Sequence, residues 1–192
     1  MELKINGLSK SFGTLEVLKR VNLTLQPGQI YCLMSPSGSG KTTFFRILLG
    51  LEKADSGCVE GMDGVRTSAV FQENRLCEEF TPVDNIAMVM PGSSFRNRKR
   101  AYEELLRLLP EESLLRPAAT LSGGMKRRVA IARALSVPAD LVLMDEPFTG
   151  LDEDTKRNVM RYIRERVKGK LVIISTHQQK DVELLDGVMI RL

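Results

Sequence analysis

No apolar run in this chain approaches the roughly 18 to 20 residues that cross a bilayer, so no stretch of it reads as a transmembrane helix. Its start, MELKINGLSKSFG, has no apolar core of the kind a secretory signal needs. Cysteine is scarce. Cys32, Cys58 and Cys77 are odd in number, widely spaced and without a metal-ligand pattern, and reduced thiols in a cytosol are the simplest account of them. Internal repeats and low-complexity linkers are absent too. What remains is a chain of 192 residues, 43% hydrophobic, able to bury one core with room for a small satellite subdomain.

Against this background one glycine-rich run stands out. Ser35-Pro36-Ser37-Gly38-Ser39-Gly40-Lys41-Thr42-Thr43 follows the strand-like IYCLM at 30–34 and precedes the helix-like TFFRILLG at 43–50, the setting of a phosphate-binding P-loop. Consecutive backbone N–H groups must curl around an anion there, which demands dihedrals that side chains obstruct. The helix beginning near Lys41 points its positive end at the same phosphates. Lys41 supplies a mobile charge for the outer phosphates, and the Thr42 hydroxyl suits a hydrated Mg2+. Pro36 lacks an N–H and cannot donate. The pattern G-x-x-x-x-G-K-[ST] is not met in full, because Ser35 stands at the first glycine position. Serine serves if that residue only ends the strand; otherwise the pocket is weakened.

A second device lies about eighty residues on, in LSGGMKRRVAIARAL at 121–135. Ser122 precedes two glycines and an amphipathic run, so it reads as a helix N-cap. Ser122, Gly123 and Gly124 then form a helix start with bare N–H groups, a further anion site, although in isolation a turn capping a surface helix would be the favoured reading. LVLMDEP at 141–147 reads as a buried parallel strand delivering acids to its C-terminal edge, where ligands bind in open α/β sheets. Asp145 is placed to hold Mg2+ and Glu146 to polarise an attacking water. LVIIST at 171–176 is another strand, and it ends at His177, the one histidine of the chain. A lone histidine is usually structural, but this one sits where a strand of the same sheet reaches a γ-phosphate.

Motifs and order together resemble the nucleotide-binding subunit of an ABC (ATP-binding cassette) transporter, over nearly all 192 residues. LSGG before a basic amphipathic helix carries the resemblance, since a P-loop alone would admit kinases, GTPases and helicases. The resemblance implies an ATPase of α/β P-loop fold, with an N-terminal antiparallel β subdomain and an inserted helical subdomain. It makes Phe12 the aromatic that stacks on adenine and places Val17 beside the ribose. Residues 37–43 become the Walker A loop, and Gln72 the glutamine that senses Mg2+ and leads toward a membrane partner. Asp145 and Glu146 match the Walker B acid and catalytic base, Gly150-Leu151-Asp152 the D-loop, and His177 the switch histidine. ATP and Mg2+ are the implied cofactors.

Partners follow from the same likeness. In ABC proteins two cassettes pack head to tail, and the signature serine and glycines of one close over the ATP of the other. A second copy or a homologous cassette is therefore expected, together with transmembrane permease subunits docking at residues 73–85. A solute-binding protein is a further candidate partner, no direct nucleic-acid contact is expected, and the expected location is cytoplasmic, on the inner face of the cell membrane. A soluble ABC-type ATPase acting on nucleic acid or ribosomes, or a non-hydrolysing regulatory module, are the alternatives.

The expected division is 1–72 and 140–192 as α/β core, with about 73–139 as helical subdomain, one helix of which starts at Thr81-Pro82-Val83-Asp84. The net charge of +4 comes partly from RNRKR at 96–100, at the start of a helical pattern ending at Pro110, and KRR at 126–128, both read as solvated faces. Only 31 positions separate Lys41 from Gln72 (72 − 41), and the chain stops soon after its final strand, which implies a compact cassette without the C-terminal regulatory domain of some importer ATPases. SGGM with MDEPFTGLD most resembles cassettes of the nitrate, sulfonate and taurine importer type.

Overall fold

In the computed structural model, which describes residues 2–36 and 38–192, the chain opens with two long strands, β1 (Leu3–Phe12) and β2 (Leu15–Leu25), paired antiparallel with Leu3 opposite Leu25 and Phe12 opposite Leu15. Alternation turns Leu3, Ile5 and Leu25 inward to near-complete burial. The chain then crosses to β3 (Ile30–Leu33), passes through α1 (Lys41–Leu48) and returns to the first sheet with β4 (Ser56–Glu60), giving the order β2-β1-β4.

The second sheet is parallel. Its strands are β5 (Thr67–Val70), β6 (Leu141–Met144), β7 (Leu171–Ser175), β3 and β8 (Val188–Ile190), in the order β5-β6-β7-β3-β8. Its central strands are buried on both faces, which is why LVLM and LVIIS read as continuous apolar runs. The period of two sorts them into two cores. Leu141, Leu143, Leu171, Ile173 and Leu33 face the β1–β2 sheet and Phe44 and Phe45 of α1. Val142, Met144, Val172, Ile174 and Cys32 face the other side, where the long helices lie.

Those helices are α2 (Pro82–Ala87), α3 (Ser94–Leu105), α4 (Gly123–Leu135), α5 (Glu153–Arg166) and α6 (Gln179–Leu185). α2 starts as its sequence predicts: Pro82 holds the first helical position and the Thr81 hydroxyl accepts from the Asp84 N–H at 3.1 Å. α3 stops a turn short of Pro110, because its end tightens into i→i−3 bonds such as Leu108 N–H to Leu105 at 2.9 Å and the residue before a proline avoids helical dihedrals. Between Gln72 and Ser122 the segment is less helical than its pattern suggests. Two short 3-10 turns, Glu111–Ser113 and Ala118–Thr120, and irregular backbone make up much of it.

One topological fact places the site. The carboxyl ends of β5, β6, β7 and β3 lie side by side, so the residues that follow them in the chain, at 71–72, 145–146, 176–177 and 34–43, come to one edge.

Candidate functional site

The loop after β3 turns at two glycines, both in the conformation that glycine alone adopts freely. Gly38 and Gly40 have φ of 79° and 88°, in the left-handed region. Gly40 is required a second time, because a Cβ there would lie 2.7 Å from Val17 Cγ1 and 2.8 Å from the Val17 carbonyl oxygen. This close approach sets Val17 against the loop. Ser37 lies outside the described residues. Ser35 does not adopt the left-handed region, so its position needs no glycine. Its hydroxyl accepts from the Leu192 N–H at 3.1 Å and ties the end of β8 to the loop. Lys41 is buried, and its ammonium donates to the carbonyls of Ser35 and Pro36 at 2.7 and 3.0 Å. Ser39 N–H donates to Pro36, and Thr43 follows in the first turn of α1, which no side chain caps.

The acids meet this loop across the sheet. Thr42 Oγ1 donates to Asp145 Oδ2 at 2.7 Å. Ser175 at the end of β7 donates to Asp145 Oδ1 at 2.7 Å and accepts from the Glu146 N–H at the same distance. Asp145 is thereby fixed at both oxygens, with only 5% of its surface exposed. Glu146 carries φ of 47°, rare for a residue with a Cβ and the kind of strain that collects at functional sites. Its Oε1 lies 2.6 Å from His177 Nε2.

Gln72 lies two residues beyond Val70, whose carbonyl accepts from the Asp145 N–H at 2.8 Å, and its side chain is exposed. Its backbone is held from an unexpected direction. Arg127 of α4 donates to the carbonyls of Phe71, at 2.6 Å, and Gln72, while Arg133 donates to Asn74 and Arg75 at 3.2 and 2.9 Å. The basic run at 126–128 is therefore not a solvated face. Arg127 is 6% exposed; burial lowers its pKa, while Asp145 and Glu146 work in favour of its charge. Arg128 donates to the Gly124 and Leu108 carbonyls, and Lys126 pairs with Glu78. RNRKR at 96–100 matches its surface reading better: Arg98 pairs with Asp84, although Asn97 within the run is buried and donates to Met90.

Ser122 caps α4, accepting from the Met125 N–H at 3.3 Å. A Cβ at Gly124 would meet the Gly150 carbonyl and Leu151 at 3.3 Å, so the start of α4 lies against the 150–152 turn, whereas Gly123 faces open space. Asp152 caps α5 through Thr155 N–H at 2.9 Å, a bond that lowers its carboxyl pKa. Phe12 is an exposed ring at the end of β1, with the Lys10 ammonium 5.1 Å from its centre.

The structure thus joins Thr42, Asp145, Glu146 and His177 in one bonded edge through Ser175, with Lys41 preceding Thr42 in the P-loop and Gln72 in the loop after the neighbouring strand β5. It leaves the Ser122 hydroxyl bonded to Met125 and the Gly124 carbonyl bonded to Arg128, with Gly124 packed close to the 150–151 turn, none of them part of the P-loop. Sequence reasoning missed Ser175, Arg127 and the buried pair Lys156 and Asp181. Arg127 was within reach of the helical period: with Ile131, Ala134 and Leu135 it completes an i, i+4, i+7, i+8 face.

A parallel sheet bearing this loop and these acids at its carboxyl edge, with a capped LSGG helix against the turn that follows them, defines a P-loop nucleotide-binding cassette. The family model for ABC transporters matches residues 18–149, and the chain belongs to that family. The sulfate/thiosulfate import ATP-binding protein CysA of Escherichia coli K12 is 37% identical, over 99% of this chain and 57% of its own length. That of Mesostigma viride is 34% identical, over 99% and 59%. This chain therefore spans under two thirds of the curated relatives it matches. The dimeric structure of MJ0796, a bacterial ABC transporter cassette, superposes with a TM-score of 0.88 at 29% identity, covering 99% of this chain and 94% of that one. A dimeric post-hydrolysis state of MJ0796 bound to ADP and Pi superposes with a TM-score of 0.86 at 30% identity and the same coverage.

Proposed function

We propose that this chain binds and hydrolyses ATP as the cassette subunit of an ABC transporter, powering solute movement through separate membrane subunits. The observation that carries the reading is the bonded edge Thr42–Asp145–Ser175–Glu146–His177, assembled from three strands at the P-loop. The donor set suits Mg2+: a hydroxyl and a carboxylate oxygen meet at 2.7 Å, and Gly38 leaves open space where a Cβ would point. Thr42 and Asp145 would hold the ion, with Gln72 beside them, and the bound ion neutralises charge on the phosphate oxygens. Lys41 answers the outer phosphates. Glu146 orients the attacking water and His177 steadies Glu146, so catalysis here is positioning and electrostatics. A non-hydrolysing module has no use for that pair.

The cassette superposes on a protein whose structure is dimeric, which supports a head-to-tail dimer in which Ser122, Gly123 and Gly124 reach the partner's ATP and Asp152 lies at the seam. Phe12 and Val17 are assigned to the adenosine, and Ser37 with Ser39 to the phosphates. The division into core 1–72 and 140–192 and helical subdomain 73–139 belongs to the same reading. For the permease, a groove of about 410 Å3 lined by Phe80, Asp84, Met88, Met90 and Arg98 offers an apolar floor to a short helix. No helix among the described residues is long and apolar enough to cross a membrane. Attachment to the inner face of the cell membrane would then run through that groove, with a solute-binding protein as a more distant partner and no role for nucleic acid. The subgroup stays at an importer-type cassette, because the relatives named above import sulfate and thiosulfate and are not of the nitrate, sulfonate and taurine type.

Mg2+-dependent phosphate release by wild type and Glu146→Gln, each at several protein concentrations, tests the reading. Turnover per chain that rises with concentration and vanishes in the variant is the expected result. Release that is equal in both proteins would overturn the assignment of Glu146.

A further inference from the structure

Lys156 and Asp181 form an ion pair that is among the most buried polar groups of the chain, at 4% and 2% exposed, and no step above uses either. Lys156 lies one turn into α5, its N–H bonded to the Asp152 carbonyl at 2.8 Å. Asp181 lies in the first turn of α6. Between these helices runs the segment that carries His177.

The pair grips that segment on both sides of the histidine. The Thr176 hydroxyl donates to the Asp181 carboxylate, and the Lys156 ammonium donates to Gln178 Oε1 at 2.6 Å. Gln178 N–H donates to Thr176 Oγ1 at 3.3 Å, closing the loop on itself. The imidazole, by contrast, has one bonded partner among the described residues, the Glu146 carboxylate. A cavity of about 80 Å3 bounded by Glu146, Ser175, His177, Lys156 and Asp181 separates the imidazole from the pair. Buried ion pairs are poor sources of stability, since desolvation offsets the attraction and apolar residues of the same volume serve as well. Here the charges do what apolar residues cannot: one accepts from Thr176 and the other donates to Gln178, which fixes the backbone on either side of His177.

We propose that Lys156 and Asp181 are positioning residues for His177, holding its imidazole against Glu146. This rests on the hydrolytic reading above, and it also makes a claim about geometry that can be read without turnover. His177 is the one histidine of the chain, so its imidazole gives a single Cε1–H signal in a histidine-labelled NMR spectrum.

The test uses the full chain with Lys156→Met/Asp181→Leu, which removes both charges and leaves neither alone, Lys156→Arg as the conservative variant, and Lys180→Ala as a control that breaks only the exposed pair with Glu153. In the double variant kcat should fall ~10- to 100-fold, the scale of a small misplacement, while KM for ATP stays within about twofold, as expected when only transition-state contacts are lost. The imidazole signal should move, and the further shift caused by adding Glu146→Gln should shrink by at least half. Lys156→Arg should recover much of both effects, and Lys180→Ala should resemble wild type. A folded double variant with wild-type kcat and an unmoved signal would overturn the proposal. If wild type itself releases no phosphate, the hydrolytic reading fails and the NMR arm alone decides the positioning claim.

Discussion

Thr42 Oγ1 and Asp145 Oδ2 are hydrogen-bonded at 2.7 Å although 103 positions separate them in the chain. Asp145 has no slack, since Ser175 donates to its other oxygen at 2.7 Å. Asp145→Asn would turn an amide N–H2 toward one of these two donors. Mg2+-dependent tightening of ATP binding should be lost and turnover should fall by about 100-fold or more, while ATP binding without Mg2+ persists. Titration of a fluorescent ATP analogue with and without Mg2+ checks this; an unchanged Mg2+ effect would remove Asp145 from the metal site.

Glu146→Gln keeps the shape and removes the charge. Phosphate release should drop by about 100-fold or more, with ATP still bound. The trapped protein should run as a dimer in light scattering when ATP is present and as a monomer without it. ATP that leaves the mass monomeric would count against the head-to-tail assembly.

The two left-handed glycines of the loop predict different penalties. Gly38→Ala meets open space and carries only the dihedral cost, about 1–2 kcal/mol. Gly40→Ala adds a collision with Val17 and Leu18 at 2.7 and 2.8 Å, for about 3–5 kcal/mol in all. Thermal melts of the two variants should separate clearly, and equal midpoints would contradict the close approach.

Arg127→Met deletes two bonds to the Phe71 and Gln72 carbonyls and leaves those groups without partners. Hydrogen exchange should accelerate across residues 71–75, stability should fall by about 2–3 kcal/mol, and the Mg2+ concentration for half-maximal turnover should rise. Arg127→Lys should lie between, because an ammonium cannot fork to two carbonyls. An exchange pattern identical to wild type would mean that the loop after β5 is held by other contacts.

Acid behaviour has a named source at the opposite end of β6. Hydrogen bonds from the Arg66 side chain, then from its N–H, hold the Asp140 carboxyl down to about 2. An unfolded aspartate titrates near ~3.9, so the folded state binds fewer protons in between. The stabilisation is complete above the unfolded value and disappears as pH falls through about 2. The melting gap between wild type and Asp140→Asn should therefore be widest above pH 5 and close toward pH 2, more weakly in high salt because the pair is exposed. A gap independent of pH would exclude this pair as the source.

By itself the sequence determined the local elements and the chemistry carried at their ends. Alternating runs marked β1 and β2, continuous apolar runs marked β6 and β7, Pro82 marked a helix start, and Lys41, Thr42, Asp145, Glu146 and His177 could be named because each follows a strand whose apolar run says where it stops. These signals lie within a few residues of the group concerned, where steric preference and burial period act. Only the tertiary structure decided which backbone groups those residues meet. That Ser35 needs no glycine depends on its dihedral and on Leu192, 157 positions away. That Arg127 is buried beneath the 71–75 loop while Arg100 remains in water depends on which face of each helix is covered. The Lys156–Asp181 pair depends on α5 and α6 meeting over β7. Hydrogen-bond partners are chosen by proximity in space, and a charge run in a chain is silent on that until the sheet order is known.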